Sequence, residues 1–232
     1  MKSFNHTTMK SPFSFVKMLF TILIFIAISS AAFATGSKYQ EKMGETLQAL
    51  GQAQSPDEMQ RVANQFLIIA KAEKKEWLPY YYHAYGYVLA AFMNEEQPDV
   101  KDQLLDEASA SLDEMMAMAD DKAEVHALHA LYLLGRLTVN PAERGAIFSP
   151  QIQAAVRTGM AIDATNPRLR YVKLSTDMGT AAFFGTDLSE YCEAAERLYG
   201  EWDTFEVESP LHPTWGKDQV AGMLQQNCGS EK

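Results

Sequence analysis

The chain has 232 residues, with 30 acidic and 20 basic side chains and a formal net charge of −10. Nucleic acids and anionic lipid surfaces are bound through clustered Lys and Arg, so this charge balance excludes nucleic-acid partners and argues against docking on anionic lipid. The length suits one sizeable core or a short stack of repeats.

The first 34 residues have the three parts of a secretory signal peptide. A start with three lysines and no acidic residue precedes an unbroken apolar run at 18–28, and Ala-Phe-Ala at 32–34 supplies an A-x-A site. The alternative is an uncleaved anchor, but the segment is shorter than the about 20 residues that a membrane span needs. We predict cleavage after Ala34 and export to the periplasm or the extracellular space. The mature domain, residues 35–232, is expected to have no stable membrane insertion.

Apolar residues after position 37 recur every three or four positions, the period of an amphipathic helix. Start and stop signals divide this region into about nine helices. Ser55-Pro56-Asp57-Glu58 has the pattern of a capping box, and Asn140-Pro141 ends a helix that begins near Lys122. A further helix is expected to start at Ser149-Pro150, and the last to run from Gly216 to Cys228. The pattern predicts an all-α fold of antiparallel hairpins, either a bundle or an α-solenoid.

Residues 154–167 favour the solenoid. They look like the second helix of a tetratricopeptide repeat (TPR), in which small residues lead into a D-x-x-N-P turn and the next repeat. The Trp, Leu-Gly and Tyr positions of the first helix are mostly missing elsewhere. The prediction is therefore a set of degenerate TPR-like hairpins.

An ordered set of short motifs extends this similarity over nearly the whole mature chain. As a set, the motifs resemble the secreted, TPR-like helical proteins of unassigned function found in bacterial genomes. The resemblance implies an all-helical, repeat-like fold and supplies no catalytic residue. The chain departs from the pattern at FGT, where a longer glycine run is expected. The motifs are WLPYYY at 77–82, NP at 140–141 and 166–167, RG at 144–145, FGT at 184–186, HPTWG at 212–216, and the terminal Cys228.

The two cysteines, Cys192 and Cys228, are candidates for a disulfide. In an oxidising compartment two cysteines are enough for one bridge, whereas two unpaired thiols in the core are the alternative. Both lie on apolar helical stripes, which suits a bridge or inert packing better than a reactive site.

His126 and His129 are weak candidates for metal ligands, because their spacing places both rings on one helix face. A zinc site needs a third ligand that the sequence does not identify, and a partly exposed histidine face is the alternative. The eleven acidic residues from Glu95 to Glu124 lack EF-hand spacing and are expected to face solvent. No nucleophile elbow, P-loop or G-x-G-x-x-G is present, so we predict no metal, no cofactor and no enzyme activity.

Seven aromatic residues are crowded into residues 77–92, too many for one buried helical stripe. Exposed aromatic side chains on the concave face of a helical repeat bind peptides, and core filling is the alternative. Trp77, Tyr81 and Tyr85 are the candidate partner-binding residues. The sequence thus predicts an exported, non-catalytic scaffold for an unknown protein or peptide. The alternative is a small-molecule or metal-binding module of the cell envelope.

Overall fold

The structure is a computed structural model that describes residues 38–94 and 97–229. The predicted signal peptide and its cleavage site lie outside these residues. The chain divides into two units, Met1–Lys42 and Met43–Lys232. In the first unit the described residues, 38–42, are helical, and the site described below lies entirely in the second.

The described residues form nine α-helices and no strand, which confirms the predicted all-α fold and the number of helices. A short 3-10 helix, Trp202–Thr204, follows α8. The helices in chain order are α1 (38–52), α2 (Pro56–Ala72), α3 (Leu78–Phe92), α4 (Pro98–Ala119), α5 (Ala123–Thr138), α6 (Pro141–Ile162), α7 (Pro167–Phe183), α8 (Ser189–Glu201) and α9 (Lys217–Asn227).

Consecutive helices pack as hairpins, most extensively α2 with α3, α3 with α4, and α5 with α6. Helices two positions apart also touch, since α3 packs against α5 and α5 against α7. These three helices therefore lie side by side, with the intervening helices packed against them. This hairpin packing is what the short predicted connections implied.

Side-chain caps begin the helices where the sequence indicated. At α2, the Ser55 hydroxyl accepts a hydrogen bond from the Glu58 N–H at 3.3 Å, while the Glu58 carboxylate accepts from the Gln54 N–H at 2.9 Å. The carboxylate thus reaches one residue further back than in a standard capping box. At α7, the Asn166 amide oxygen accepts from the N–H groups of the second and third helical residues, both at 3.1 Å.

The predicted helix start at Ser149-Pro150 is wrong, because α6 continues through Pro150 from Pro141 to Ile162. Proline has no N–H to donate within the helix, which is why the sequence suggested a boundary. The α5–α6 contact is the most extensive helix pair among the described residues. Tertiary packing thus outweighs the local cost of the proline.

No helix within the described ranges has both the length and the apolar composition needed to cross a bilayer.

Candidate ligand-binding groove

A groove of about 1070 Å³ lies among α3, α5, α6, α7 and α9. Its volume is slightly above the roughly 300–1,000 Å³ typical of small-molecule sites. Most of its walls are aliphatic or aromatic, and none of the described residues that line it is charged. The aromatic lining residues are Tyr85, Phe92, Tyr171, Phe183, Phe184 and Trp215.

Trp215 has the largest side chain in the wall, and three tyrosines hold it. Its ring stacks on Tyr85 with centroids 5.2 Å apart and makes an edge-to-face contact with Tyr171, with centroids 6.2 Å apart. Its Nε1 donates a hydrogen bond to the Tyr81 hydroxyl at 2.7 Å. The indole is therefore fixed from three directions before any ligand binds.

Gly216 sets the direction in which the chain leaves Trp215 and enters α9. Its φ of +124° is one that residues with a side chain rarely adopt. A Cβ at this position would also lie 2.2 Å from the ring of Trp202. The sequence therefore needs glycine here to place Trp215 in the groove and begin α9 beside it.

Three helices each present a glycine to the groove: Gly145 on α6, Gly179 on α7 and Gly222 on α9. A Cβ added to any of them would meet no heavy atom within 4 Å. Glycine inside a helix lowers stability by about 1 kcal/mol relative to alanine. At these three positions there would be room for a side chain, and its absence leaves open space in the groove. The width of the groove thus depends on missing side chains. The sequence analysis did not identify these wall positions; a glycine inside a helical pattern is the signal that could have pointed to them.

Phe183 and Phe184 lie at the end of α7, where they line the groove and also reach solvent. Their side chains are 61% and 75% exposed, and their rings meet edge to face with centroids 5.2 Å apart. Two exposed phenylalanines at the edge of an apolar groove extend its aromatic surface towards the solvent.

The predicted partner-binding aromatics do not form an exposed surface. Tyr81 is fully buried, Tyr85 is 5% exposed, and Trp77 is half-buried. Trp77 contacts Tyr81 edge to face at 5.7 Å and His212 at 5.8 Å. Of the three candidates only Tyr85 lines the groove. Burial raises the pKa of both Tyr81 and Tyr85, so both phenols are neutral.

The two candidate metal ligands lie on α5 and have other contacts. His126 is buried and donates from Nε2 to the Asp120 carbonyl oxygen at 2.8 Å. His129 stacks on Tyr132 at 6.5 Å, and burial lowers its pKa. Among the described residues, no group of three or more His, Cys, Asp or Glu side chains is arranged to hold a metal ion.

Cys192 and Cys228 are joined in a disulfide with a Cα–Cα distance of 5.7 Å. The bridge connects α8 to the residue that follows α9. The preceding residue, Asn227, lines the groove. The disulfide therefore ties the α9 wall of the groove to its neighbouring helix.

Two ion-pair clusters contain acidic residues that the sequence assigned to a solvated face. Asp102 on α4 accepts hydrogen bonds from Arg136 at 3.0 Å and Arg144 at 2.7 Å, and the bond from Arg144 holds the Asp102 pKa below its usual range. Glu124 on α5 accepts from the Arg168 guanidinium on α7, with one contact at 2.5 Å. These pairs join the helices around the groove, and nothing in the local spacing of the acids predicted them.

No protein-family model and no curated protein sequence matches the chain. Among solved structures, the HusA haemophore from Porphyromonas gingivalis has a similar fold, with a TM-score of 0.70 and 25% sequence identity. The match covers 84% of this chain and 95% of that chain. The chain thus resembles an all-helical bacterial protein.

This similarity corrects the main functional prediction. A haemophore is a carrier of a small molecule, haem, and two of the three aromatic residues chosen for peptide binding, Tyr81 and Tyr85, are buried. The expected scaffold for a protein or peptide partner is therefore wrong. The findings favour the alternative, a small-molecule-binding module.

Proposed function

We propose that this protein is an exported carrier that binds haem or a related porphyrin in the groove. The observation that carries the proposal is an uncharged, aromatic groove of about 1070 Å³ in a fold shared with a haemophore. The proposal of export rests on the predicted signal peptide. The proposed TPR-like character rests on the repeat-like turn at 163–167. The proposed non-catalytic role rests on the lack of a recognised enzyme motif in the sequence.

The shape and chemistry of the groove suit a broad, flat ring. Porphyrins present two large apolar faces, which aromatic side chains cover by stacking or edge contacts. The rings of Trp215 and Tyr171 stand almost perpendicular, at 84° to each other. A flat ligand can therefore contact one of these rings with its face and the other with its edge. The glycines on α6, α7 and α9 let a wide ligand approach the helix backbones.

The groove offers little to the iron of haem. Haem iron in proteins is ligated by His, Cys, Met or Tyr, and the described lining residues of these types are Tyr85, Tyr171 and Met223. Burial raises the pKa of both tyrosines, which disfavours the phenolate that would bind iron. We therefore propose that contacts with the macrocycle provide most of the affinity.

The test is a haem titration of the purified protein, followed by Soret absorbance and by quenching of tryptophan fluorescence. Gly179→Leu and Gly222→Leu fill open space in two different walls, so each is expected to weaken binding at least tenfold, about 1.4 kcal/mol. Their melting temperatures are expected to stay level or rise, since leucine favours a helix over glycine.

Gly200→Leu is the matched control. Gly200 is on α8 outside the groove, and its Cβ would likewise meet nothing within 4 Å. This variant is expected to bind haem like the unaltered protein. Equal binding by all four proteins would place the ligand outside the groove, and no haem binding by the unaltered protein would reject the proposal.

A further inference from the structure

We propose that the groove recognises the uncharged ring of its ligand and leaves any carboxylate substituents in solvent. Its ligand class would then be flat, neutral-cored macrocycles, whatever the number of carboxylates at their edges. This inference rests on the proposed porphyrin-binding function and specifies which part of the ligand is recognised.

The first observation is the charge of the walls. Among the described residues that line the groove there is no Lys, Arg or His. A carboxylate taken out of water needs a cation or several hydrogen-bond donors, because its desolvation costs several kcal/mol. The walls supply no cation, so compensation for burying such a group would have to come from uncharged donors alone.

The second observation concerns the three threonines of the wall and Asn227, which make hydrogen bonds within their own helices. The hydroxyls of Thr138, Thr176 and Thr180 donate to backbone carbonyls of the preceding turn, at 2.8 to 2.9 Å. Asn227 on α9 does the same with its amide N–H at 3.0 Å. These three hydroxyls and this amide N–H already have acceptors within the protein, so they are not available to bind an anion.

The third observation concerns the arginines beside the groove. Arg144 precedes the lining residue Gly145, but its guanidinium holds both oxygens of Asp102, at 2.7 and 2.5 Å. Arg136 is likewise engaged by Asp102 and Asp106. Neither cation is available to a ligand without breaking an ion pair. The net charge of the protein, −10, also disfavours moving an anionic substituent from water into the groove.

The salt dependence of the affinity distinguishes a groove that binds carboxylates from a groove that binds only the ring. A cationic carboxylate site loses affinity as salt screens the attraction. Here the ligand's carboxylates and the protein have the same sign of charge, so screening reduces a weak repulsion. The affinity for a dicarboxylate ligand is therefore expected to stay level or rise with salt.

The test compares metal-free protoporphyrin, which has two carboxylates, with its dimethyl ester on the unaltered protein. Binding is followed by tryptophan quenching, from about 0.05 to about 0.5 M salt. We expect dissociation constants within about threefold of each other, and no loss of affinity for the diacid at high salt. This result would support recognition of the ring.

Two other outcomes are distinct. If the diacid binds more than about tenfold tighter than the ester, or loses affinity with salt, the groove recognises carboxylates; this overturns the inference and leaves the porphyrin-binding function standing. If neither porphyrin binds, the proposed function fails and the inference fails with it.

Discussion

The indole N–H of Trp215 donates to the hydroxyl of Tyr81 at 2.7 Å, which connects the wall of the groove to the core. Tyr81 is completely buried in α3, whereas Trp215 precedes α9 and lies 134 positions away in the sequence. The same indole stacks on Tyr85. A wall fixed in this way loses little conformational entropy when a ligand binds, which favours affinity.

Replacing Tyr81 with phenylalanine is expected to weaken porphyrin binding by about threefold to tenfold. The change leaves the indole N–H without its partner, a loss of about 1 kcal/mol for a neutral hydrogen bond, and frees the ring to rotate. The measurement is a porphyrin titration together with the emission spectrum of the free protein, which is expected to shift as the indole environment changes.

Tyr87→Phe is the control for this variant. It removes a hydroxyl from the same helix, but this hydroxyl donates to Asn64 on α2 at 3.3 Å, and Tyr87 does not line the groove. Its porphyrin affinity is expected to be unchanged. A similar loss of affinity in both variants would mean that Tyr81 acts only through general stability.

The helices could be predicted because their signals are local. Asn166 and Ser55 accept hydrogen bonds from the first turn of their own helices, and a following proline marks each start. Pro150 gave the same signal of a helix start inside α6. The local sequence does not show that packing against α5 keeps the helix continuous there. The sequence therefore located helix starts better than helix continuity.

The groove could not be predicted, because it is made of residues brought together from five helices and a loop. Tyr85 and Trp215 meet only in the folded protein, and the aromatic density around Tyr81 gave no indication of which rings are enclosed. The helix-interior glycines, such as Gly179, did leave a trace in the sequence. Their role is evident only once the open space beside them is known.

Loss of the Cys192–Cys228 disulfide is expected to weaken both the fold and ligand binding. The bridge joins positions 36 residues apart, so its removal should lower the free energy of unfolding by about 3–4 kcal/mol in the chain-entropy model. The α9 wall would lose its connection to α8 beside Asn227. Reduction with a thiol is expected to weaken porphyrin binding severalfold, measured by titration with and without reductant.

The double variant Cys192→Ala, Cys228→Ala separates this effect from reductant chemistry. It is expected to bind like the reduced protein and to be insensitive to thiol. Undiminished affinity in the double variant would show that α9 stays in place without the bridge, held by the packing of Val220 and Met223 against α8.

Gly86→Ala is expected to destabilise the protein by about 1–3 kcal/mol, although alanine is the better helix former. A Cβ on Gly86 would lie 2.8 Å from the Ala63 Cβ and 3.5 Å from its Cα, so α2 and α3 would have to separate. In contrast, Gly44→Ala on α1 meets nothing within 4 Å and is expected to stabilise by up to about 1 kcal/mol. Denaturant unfolding distinguishes them, and a stabilised Gly86→Ala variant would contradict the close contact.

His83 is expected to make the fold less stable in mild acid. Its ring is buried, with Nδ1 2.8 Å from the Ser111 hydroxyl; burial, and to a lesser degree the charge of Lys71, lower its pKa from 6.5 to about 4. Between these values the unfolded chain binds a proton that the folded protein does not, so stability falls as the pH drops from 6.5 to about 4. The loss of stability attributable to this group is about 2–3 kcal/mol at pH 4.

His83→Gln is the variant that tests this prediction, because glutamine can keep the bond to Ser111 and cannot take up a proton. Urea unfolding measures the free energy of unfolding of the unaltered protein and of His83→Gln from pH 6.5 to about 4. Over this range the unaltered protein is expected to lose about 2–3 kcal/mol more than the variant. Parallel pH profiles would mean that the folded protein accommodates the charged ring.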